Sequence, residues 1–448
     1  MERTVNNLTQ GSVSRQLIRY AIPVITTSLL QAIYSVVDIL VVSKMMGPSG
    51  VSGVNNASQF MLILTQIAIG LSNGGNILVG QYFGAGQKEE RERTTGTFFL
   101  LFLLLGIGLS FFAAIVARPF MTFMGAPSLE DAAAYLSVSA WGIVFIYLYN
   151  AQAAVLRAVG NSKAPLYCVL TSTVVNIALD VLFVGPLKMG TAGAALATVI
   201  AQCVSALLAF FYLLRHREIF SWERHLLKLD QEKVRHIFRI GIPCAVQMTV
   251  AGISWLVVTY LINDYGVIWS AGNGFSVKIK DFSMMFITAL ATAASSMIAQ
   301  NLGAREYERA KSTMYCAMRL TVGMAIALII FLELTAPTLL SLFTDEAEVI
   351  AAGAFNLRVE IIGQVFYAVF LVFHALMLGA GDTWWVFLSS FANCIVARIV
   401  LATTFEAIWG IHGVFIACAI APAVSIPVGM IYTRSGRWRK SLTTVRQE

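Results

Sequence analysis

The sequence predicts an all-α integral membrane protein, with twelve transmembrane helices arranged as two parallel six-helix bundles. Two observations carry that expectation. The first is composition: of 448 residues, 58% are apolar and only 12% charged, where a soluble globular chain carries about 25% charged residues. The second is an internal repeat. Ile22-Pro23 returns as Ile242-Pro243, and Gln81-Tyr82-Phe83-Gly84-Ala85 as Gln300-Asn301-Leu302-Gly303-Ala304. Leu156-Arg157-Ala158-Val159-Gly160 is echoed by Met377-Leu378-Gly379-Ala380-Gly381, and Gly190 and Gly193 by Gly410 and Gly413. The offset stays between 219 and 221 residues, so the halves share a layout and not merely a composition. In a chain this apolar, a tandem repeat of half its length points to a transporter whose halves work about a central site.

The spans follow in order. Each is a nearly uncharged run long enough for the roughly 20 residues that a hydrocarbon core demands. The first, 17–42, opens with Pro23 early in the helix, where a missing N–H costs least. The second, 54–80, is rich in glycine (Gly70, Gly74, Gly75, Gly80), which lets helices approach closely. Spans over 95–117, 133–156, 165–184 and 191–214 complete the first half. The second half repeats the series at 238–262, 270–299, 313–342, 355–378, 384–408 and 412–433. The longest polar stretch separates them. The expected organisation is therefore an N-terminal bundle over 1–214, a cytoplasmic linker over 215–237, and a C-terminal bundle with a short cytoplasmic tail over 238–448. Because six is even, both halves enter from the same side, and the repeat is parallel.

The net charge of +7 reads as topology. With the N-terminus placed in the cytoplasm, 23 of the 31 lysines and arginines fall on inner segments, while the outer loops hold only Lys44, Arg118 and Lys188. This positive-inside bias predicts cytoplasmic termini, and no nucleic-acid partner is implied. The six cysteines fall in or at the ends of spans and lack metal-site spacing.

Ionisable residues at membrane depth are costly and mark function by default. Asp38 lies towards the outer end of the first span and Asp180 towards the outer end of the fifth, so the two should share a depth. Asn176 lies one turn before Asp180, on the same helical face. Two carboxylates and a carboxamide offer hard oxygen ligands to Na⁺, or the acids can share a proton. The repeat is an internal control, since Asp38 maps onto Val258 and Asp180 near Val400. A fold that accepts valine there does not need the carboxylates for packing. The competing account is that each acid caps a neighbouring backbone or faces an outer vestibule.

The second half carries a different set: Lys278, Lys280 and Asp281 in the eighth span, Glu360 in the tenth and Arg398 in the eleventh. Lys278 and Asp281, three apart, can pair locally, with Lys280 pointing elsewhere. Mutual neutralisation is one account of this set; the other is that Asp281 or Glu360 meets a cationic substrate. Tyr34, one turn before Asp38, and Phe282, next to Asp281, could present aromatic faces to organic cations. The candidate substrate residues are thus Tyr34, Lys280, Asp281, Phe282 and Glu360. No catalytic residue is expected: there is no phosphate-binding Gly-x-x-x-x-Gly-Lys-Ser/Thr loop and no His-Glu-x-x-His.

Taken together, these landmarks resemble the multidrug and toxic compound extrusion (MATE) family of secondary antiporters. They are Ile22-Pro23, Val37-Asp38, the Gln81–Ala85 and Leu156–Ser162 segments, Asn176 to Asp180, and Gly379-Ala380-Gly381-Asp382-Thr383. The resemblance covers roughly residues 10–435. It implies a V-shaped pair of six-helix bundles in a bacterial cytoplasmic membrane, working as a monomer by alternating access. It also implies export of amphipathic, often cationic compounds in exchange for Na⁺ or H⁺, with no cofactor. The acidic first half resembles the DinF-like branch, so Asp38, Asn176 and Asp180 are expected to couple the cation. The other main branch places a glutamate in its seventh span, where this chain reads Val250-Ala251-Gly252-Ile253-Ser254-Trp255 without an acid. Lys278, Lys280 and Arg398 keep open a second reading, a flippase for lipid-linked saccharides. An embedded transferase, the third, lacks any metal or phosphate motif.

Overall fold

The structure, a computed structural model, describes residues 5–124 and 128–439, apart from the side chains of 35, 36 and 38–52. Every regular element among the described residues is helical. In chain order these are α1 (Val13–Gly84), α2 (Lys88–Phe123), α3 (Leu129–Ala140), α4 (Ile143–Ala158), α5 (Lys163–Val184) and α6 (Gly190–Arg215). There follow α7 (Gln231–Asn263), α8 (Val267–Gly303), α9 (Tyr307–Leu340), α10 (Ala347–Ile362), α11 (Gln364–Gly379) and α12 (Thr383–Phe391). A π-helical segment, Ala392–Ile399, runs into α13 (Val400–Trp409), and α14 (Ile411–Val424) and α15 (Ile426–Ser435) close the series.

Ten stretches are long and apolar enough to cross a bilayer, two of them, Val13–Tyr34 and Gly53–Gly84, within α1. Two bent pairs bring the number to twelve, in keeping with the expected count: α3 with α4 at 46° and α10 with α11 at 43°. These pairs are the expected fourth and tenth spans, read from sequence as unbroken. Their breaks fall at Gly142 and Gly363, 221 residues apart, so the repeat extends to the bends themselves. Both glycines are set by close approach. A Cβ on Gly142 would collide with the Gln202 side chain, and one on Gly363 with the backbone of Ala419. Large apolar side chains such as Ile115 on α2 and Leu334 on α9 are more than 70% exposed. In a bilayer such residues meet acyl chains and not water.

The chain divides into two compact units. The first comprises Met1–Asn7 and Ile22–Ala245, the second Leu8–Ala21 and Val246–Glu448. In the first unit, α2 packs on α3 and α4, and α6 packs on α3, α4 and α5. The core includes Phe98, Phe102 and Tyr147, whose hydroxyl donates to the Leu64 carbonyl at 3.2 Å. The polar stretch between the halves is not a loose strap. Arg91 donates to the Glu218 carbonyl at 2.9 Å and Thr97 to the Lys228 carbonyl at 2.8 Å, both from α2. Phe220 and Trp222 stack against Phe99 and Phe210. Lys233, fully buried, donates to the Tyr82 hydroxyl at 2.7 Å and to the Glu90 carboxylate at 2.5 Å.

In the second unit α8 is central, packing on α9, α10 and α11, while α13 and the π segment pack on α14. Gly272 and Gly353 let α8 and α10 approach so closely that the Ser276 hydroxyl reaches the Gly353 carbonyl at 2.8 Å. Arg309 binds the start of the chain, donating to the carbonyls of Leu8, Gln10 and Gly11 and to the Gln16 side chain.

Candidate functional site

Two polar sites are enclosed in otherwise apolar helices, one in each unit. The first lies on α5. Asn176 and Asp180 sit one helical turn apart, are 1% and 0% exposed, and belong to a helix that packs against α6. Neither polar atom of the Asn176 amide has a hydrogen-bond partner among the described residues. A buried carboxamide without a partner is rare and calls for a ligand, an ion or a water. On α6, Thr198 lies within hydrogen-bonding distance of the Tyr34 hydroxyl, 3.2 Å away. That contact ties the tyrosine of α1 to the helix that flanks α5. Asp38, expected alongside, has its side chain outside the described residues. Among those described, no three histidine, cysteine or acidic side chains gather into a metal-binding group.

The second site is in the second unit, and the structure changes how its charges pair. Lys280 of α8 forms a buried ion pair with Glu360 of α10, each side chain less than a tenth exposed. No Lys278–Asp281 pair forms among the described residues. Lys278 and Asp281 are both exposed, as is Phe282 at 51%, with its ring against Phe286. The helical geometry explains the swap. Lys280 lies on the buried stripe with Ser276 and Ser283, three or four residues apart, whereas Lys278, Asp281 and Phe282 lie off it. Of the five candidate substrate residues, the structure thus brings Lys280 and Glu360 together. Tyr34 belongs to the other unit, and Asp281 and Phe282 occupy a different face of α8.

Around the ion pair the site is completed by Trp255 and Arg398, which the sequence reading noticed but did not join, and by Gln364, Ser283 and Asn393, which it did not single out. The Trp255 ring of α7 receives two cations, Lys280 Nζ at 4.2 Å and the Arg398 guanidinium at 4.4 Å from its centroid. Arg398 also donates to the Ser254 hydroxyl at 3.3 Å. Gln364, the first residue after the break at Gly363, donates to the Ser283 hydroxyl at 2.5 Å. A cavity of about 140 Å³ lies among these groups, lined also by Asn393, Tyr367 and Phe370. The signal in the sequence was a lone arginine deep in an apolar run, at Arg398. Its partners, Ser254 and Trp255, come from α7, more than 140 positions earlier. His374, also buried, is held by the Val386 carbonyl and Ser390 hydroxyl, each 3.0 Å from its Nε2.

Twelve apolar spans in two repeated halves, each enclosing buried ionisable groups, define a polytopic membrane transporter. The MatE family model matches the chain twice, over residues 23–182 and 243–404, at the offset of the internal repeat. The chain belongs to this family of multidrug efflux transporters. It is 28% identical over 383 residues to a probable multidrug resistance protein, YoeA, of Bacillus subtilis, covering 84% of this chain and 83% of that protein. YpnP, a second probable multidrug resistance protein of that organism, is 25% identical over 436 residues, 97% of both chains. The multidrug export protein MepA of Staphylococcus aureus is 23% identical over 444 residues, covering 97% of this chain and 96% of that one. Among solved structures, an outward-facing MATE family transporter of the MOP superfamily superposes with a TM-score of 0.91 at 23% identity, over 97% of this chain and 99% of that one. A MOP superfamily transporter from Pyrococcus furiosus reaches 0.91 at 22%, over 98% and 100%.

Proposed function

We propose that this chain is an antiporter that exports amphipathic, cationic compounds across a bacterial cytoplasmic membrane in exchange for Na⁺ or H⁺. Asp38, Asn176 and Asp180 take the coupling ion. The observation that carries this reading is the enclosed Asn176–Asp180 pair on α5. A carboxylate kept at membrane depth beside a carboxamide lacking any described partner is expensive in a purely structural role. Ion binding and substrate binding exclude one another through these groups. Each occupant favours a different packing of the helices, so the two fluxes are exchanged by alternating access. In the first unit Tyr34, held by Thr198, offers an aromatic face to an organic cation; in the second, the exposed Asp281 and Phe282 offer an acidic and an aromatic one. Glu360, already paired with Lys280, is available to a cation only if that pair opens. Both termini lie in the cytoplasm, and one copy of the chain suffices.

The experiment is uptake of ethidium into inside-out vesicles with Na⁺ and pH gradients imposed separately. Uptake driven by one gradient and lost in Asp180→Asn supports the reading and names the ion. Undiminished uptake by a properly inserted Asp180→Asn removes α5 from the coupling.

A further inference from the structure

We propose that the cavity in the second unit is a binding site for an organic carboxylate with an aromatic or similarly compact apolar body, about the size of benzoate. The argument begins with charge. Lys280 and Glu360 neutralise each other within the buried ion pair. Arg398 is left over. It is 6% exposed, and among the described residues its contacts are a neutral hydroxyl and an indole ring, with Nε unpartnered. A guanidinium does not deprotonate in proteins, and a buried charge without a counter-charge is strongly unfavourable. Asp281 is exposed and does not line the cavity; it lies within electrostatic reach of Lys280 and Glu360, and Lys278, also within its reach, offsets its charge. The enclosed set therefore carries one net positive charge, and an anion in the cavity is what balances it.

The lining then selects the kind of anion. The π-helical turn brings Asn393 and Arg398, five residues apart, to the same wall, and such turns recur at functional sites. The Asn393 and Gln364 side chains are buried, and each has an amide oxygen without a partner. These amides can turn to hold a carboxylate and the groups around it. Gln247 and Ser390 add further polar groups, and most of the remaining wall is apolar, with Trp255, Met284, Phe370, Leu371 and the Tyr367 ring. A bare inorganic anion would leave that apolar surface uncovered. The volume, about 140 Å³, is close to that of a cavity which accommodates benzene, about 150 Å³. Arginine is suited to grip a carboxylate through two parallel N–H donors, which a lysine cannot reproduce.

This inference does not rest on the proposed coupling site, because binding is measured on purified protein with no gradient. The experiment is calorimetric titration of the full chain in detergent with benzoate, with benzylammonium as a cation of equal size, and with chloride and inorganic phosphate. Benzoate should bind and the other three should not compete at equal concentration. Arg398→Gln should weaken benzoate by at least about tenfold, the effect of losing one charge-assisted hydrogen bond. Arg398→Lys, which keeps the charge and guards against a folding defect, should retain part of the affinity. Glu360→Gln, by removing the only negative charge of the set, should tighten it. Benzylammonium binding better than benzoate, benzoate unaffected by Arg398→Gln in a monodisperse sample, or weaker benzoate binding in Glu360→Gln would each overturn the proposal. Displacement of benzoate by phosphate or chloride alone would overturn the assignment of an organic carboxylate.

Discussion

The buried pair of Lys280 and Glu360 gives the sharpest energetic prediction. Replacing Lys280 by Met strands a carboxylate whose second oxygen already lacks a partner; replacing Glu360 by Leu strands an ammonium over the Trp255 ring. Removing one member of a buried pair costs about 3–5 kcal/mol, since the survivor is left desolvated and uncompensated. Replacing both by apolar residues of similar volume removes that penalty and leaves chiefly the lost cation–π contact, at most about 2 kcal/mol. For 448 residues an unfolding entropy of ~0.9 kcal/mol/K, from about 2.1 cal/mol/K per residue, converts the single-variant losses into a fall in Tm of ~3–6 °C. The assay is thermal unfolding of detergent-purified protein followed by size-exclusion recovery, for wild type, Lys280→Met, Glu360→Leu and the double variant. The double variant should sit above both single variants, with a coupling energy of at least about 2 kcal/mol. A double variant that loses the sum of the two single losses would refute the reasoning, since the pair would then not act as a unit.

Three further outcomes are expected. Asp180→Asn and Asp38→Asn should each reduce gradient-driven ethidium uptake to background while leaving the amount of inserted protein unchanged by immunoblot. Gly363→Leu should lower Tm by about 1–3 °C, because a side chain there would have to displace the backbone at Ala419, an overpacking cost of about 1–3 kcal/mol; Gly274→Leu, at a position with open space beside it, should be tolerated. Lys233→Met should release the segment between α6 and α7 from α2, seen as trypsin cleavage at Arg224 and Lys228 at least several-fold faster than in wild type; equal cleavage rates would show that this clasp does not hold the segment.

Much of the architecture was legible because membranes impose few and severe demands. Each crossing needs about 20 apolar residues with internally paired backbones, so the count of spans follows from composition. The repeat is visible as residue identity at a fixed offset, and the family model falls on it twice. Asn176 and Asp180 were legible as a pair because they lie on one helix, where spacing alone decides which residues share a face. In the second half a valine replaces Asp38. Val258 is buried in an apolar cluster with Ile262, Val414 and Phe415.

The bends at Gly142 and Gly363 were not legible, because glycine is common in membrane helices and only a close neighbour, Gln202 or the Ala419 backbone, shows why it is needed there. Nor was the partner of Lys280. Local spacing offered a pair between Lys278 and Asp281, with Lys280 pointing elsewhere. The helix turns Lys280 inward and leaves Asp281 exposed, so the partner is Glu360, eighty positions along.

What the sequence by itself determined is the membrane class, the twelvefold count, the duplicated layout, the family and the buried acid on α5. The family rests on the resemblance of the landmark motifs; the others depend on local composition, periodicity or repeated identity. What only the tertiary structure decided is the chemistry of the second unit: Glu360 pairs with Lys280, Arg398 has no ion-pair partner among the described residues, and both cations converge on Trp255. The physical reason is that electrostatics in a desolvated interior is set by distance in space. The chain brings those four side chains together from four different helical segments.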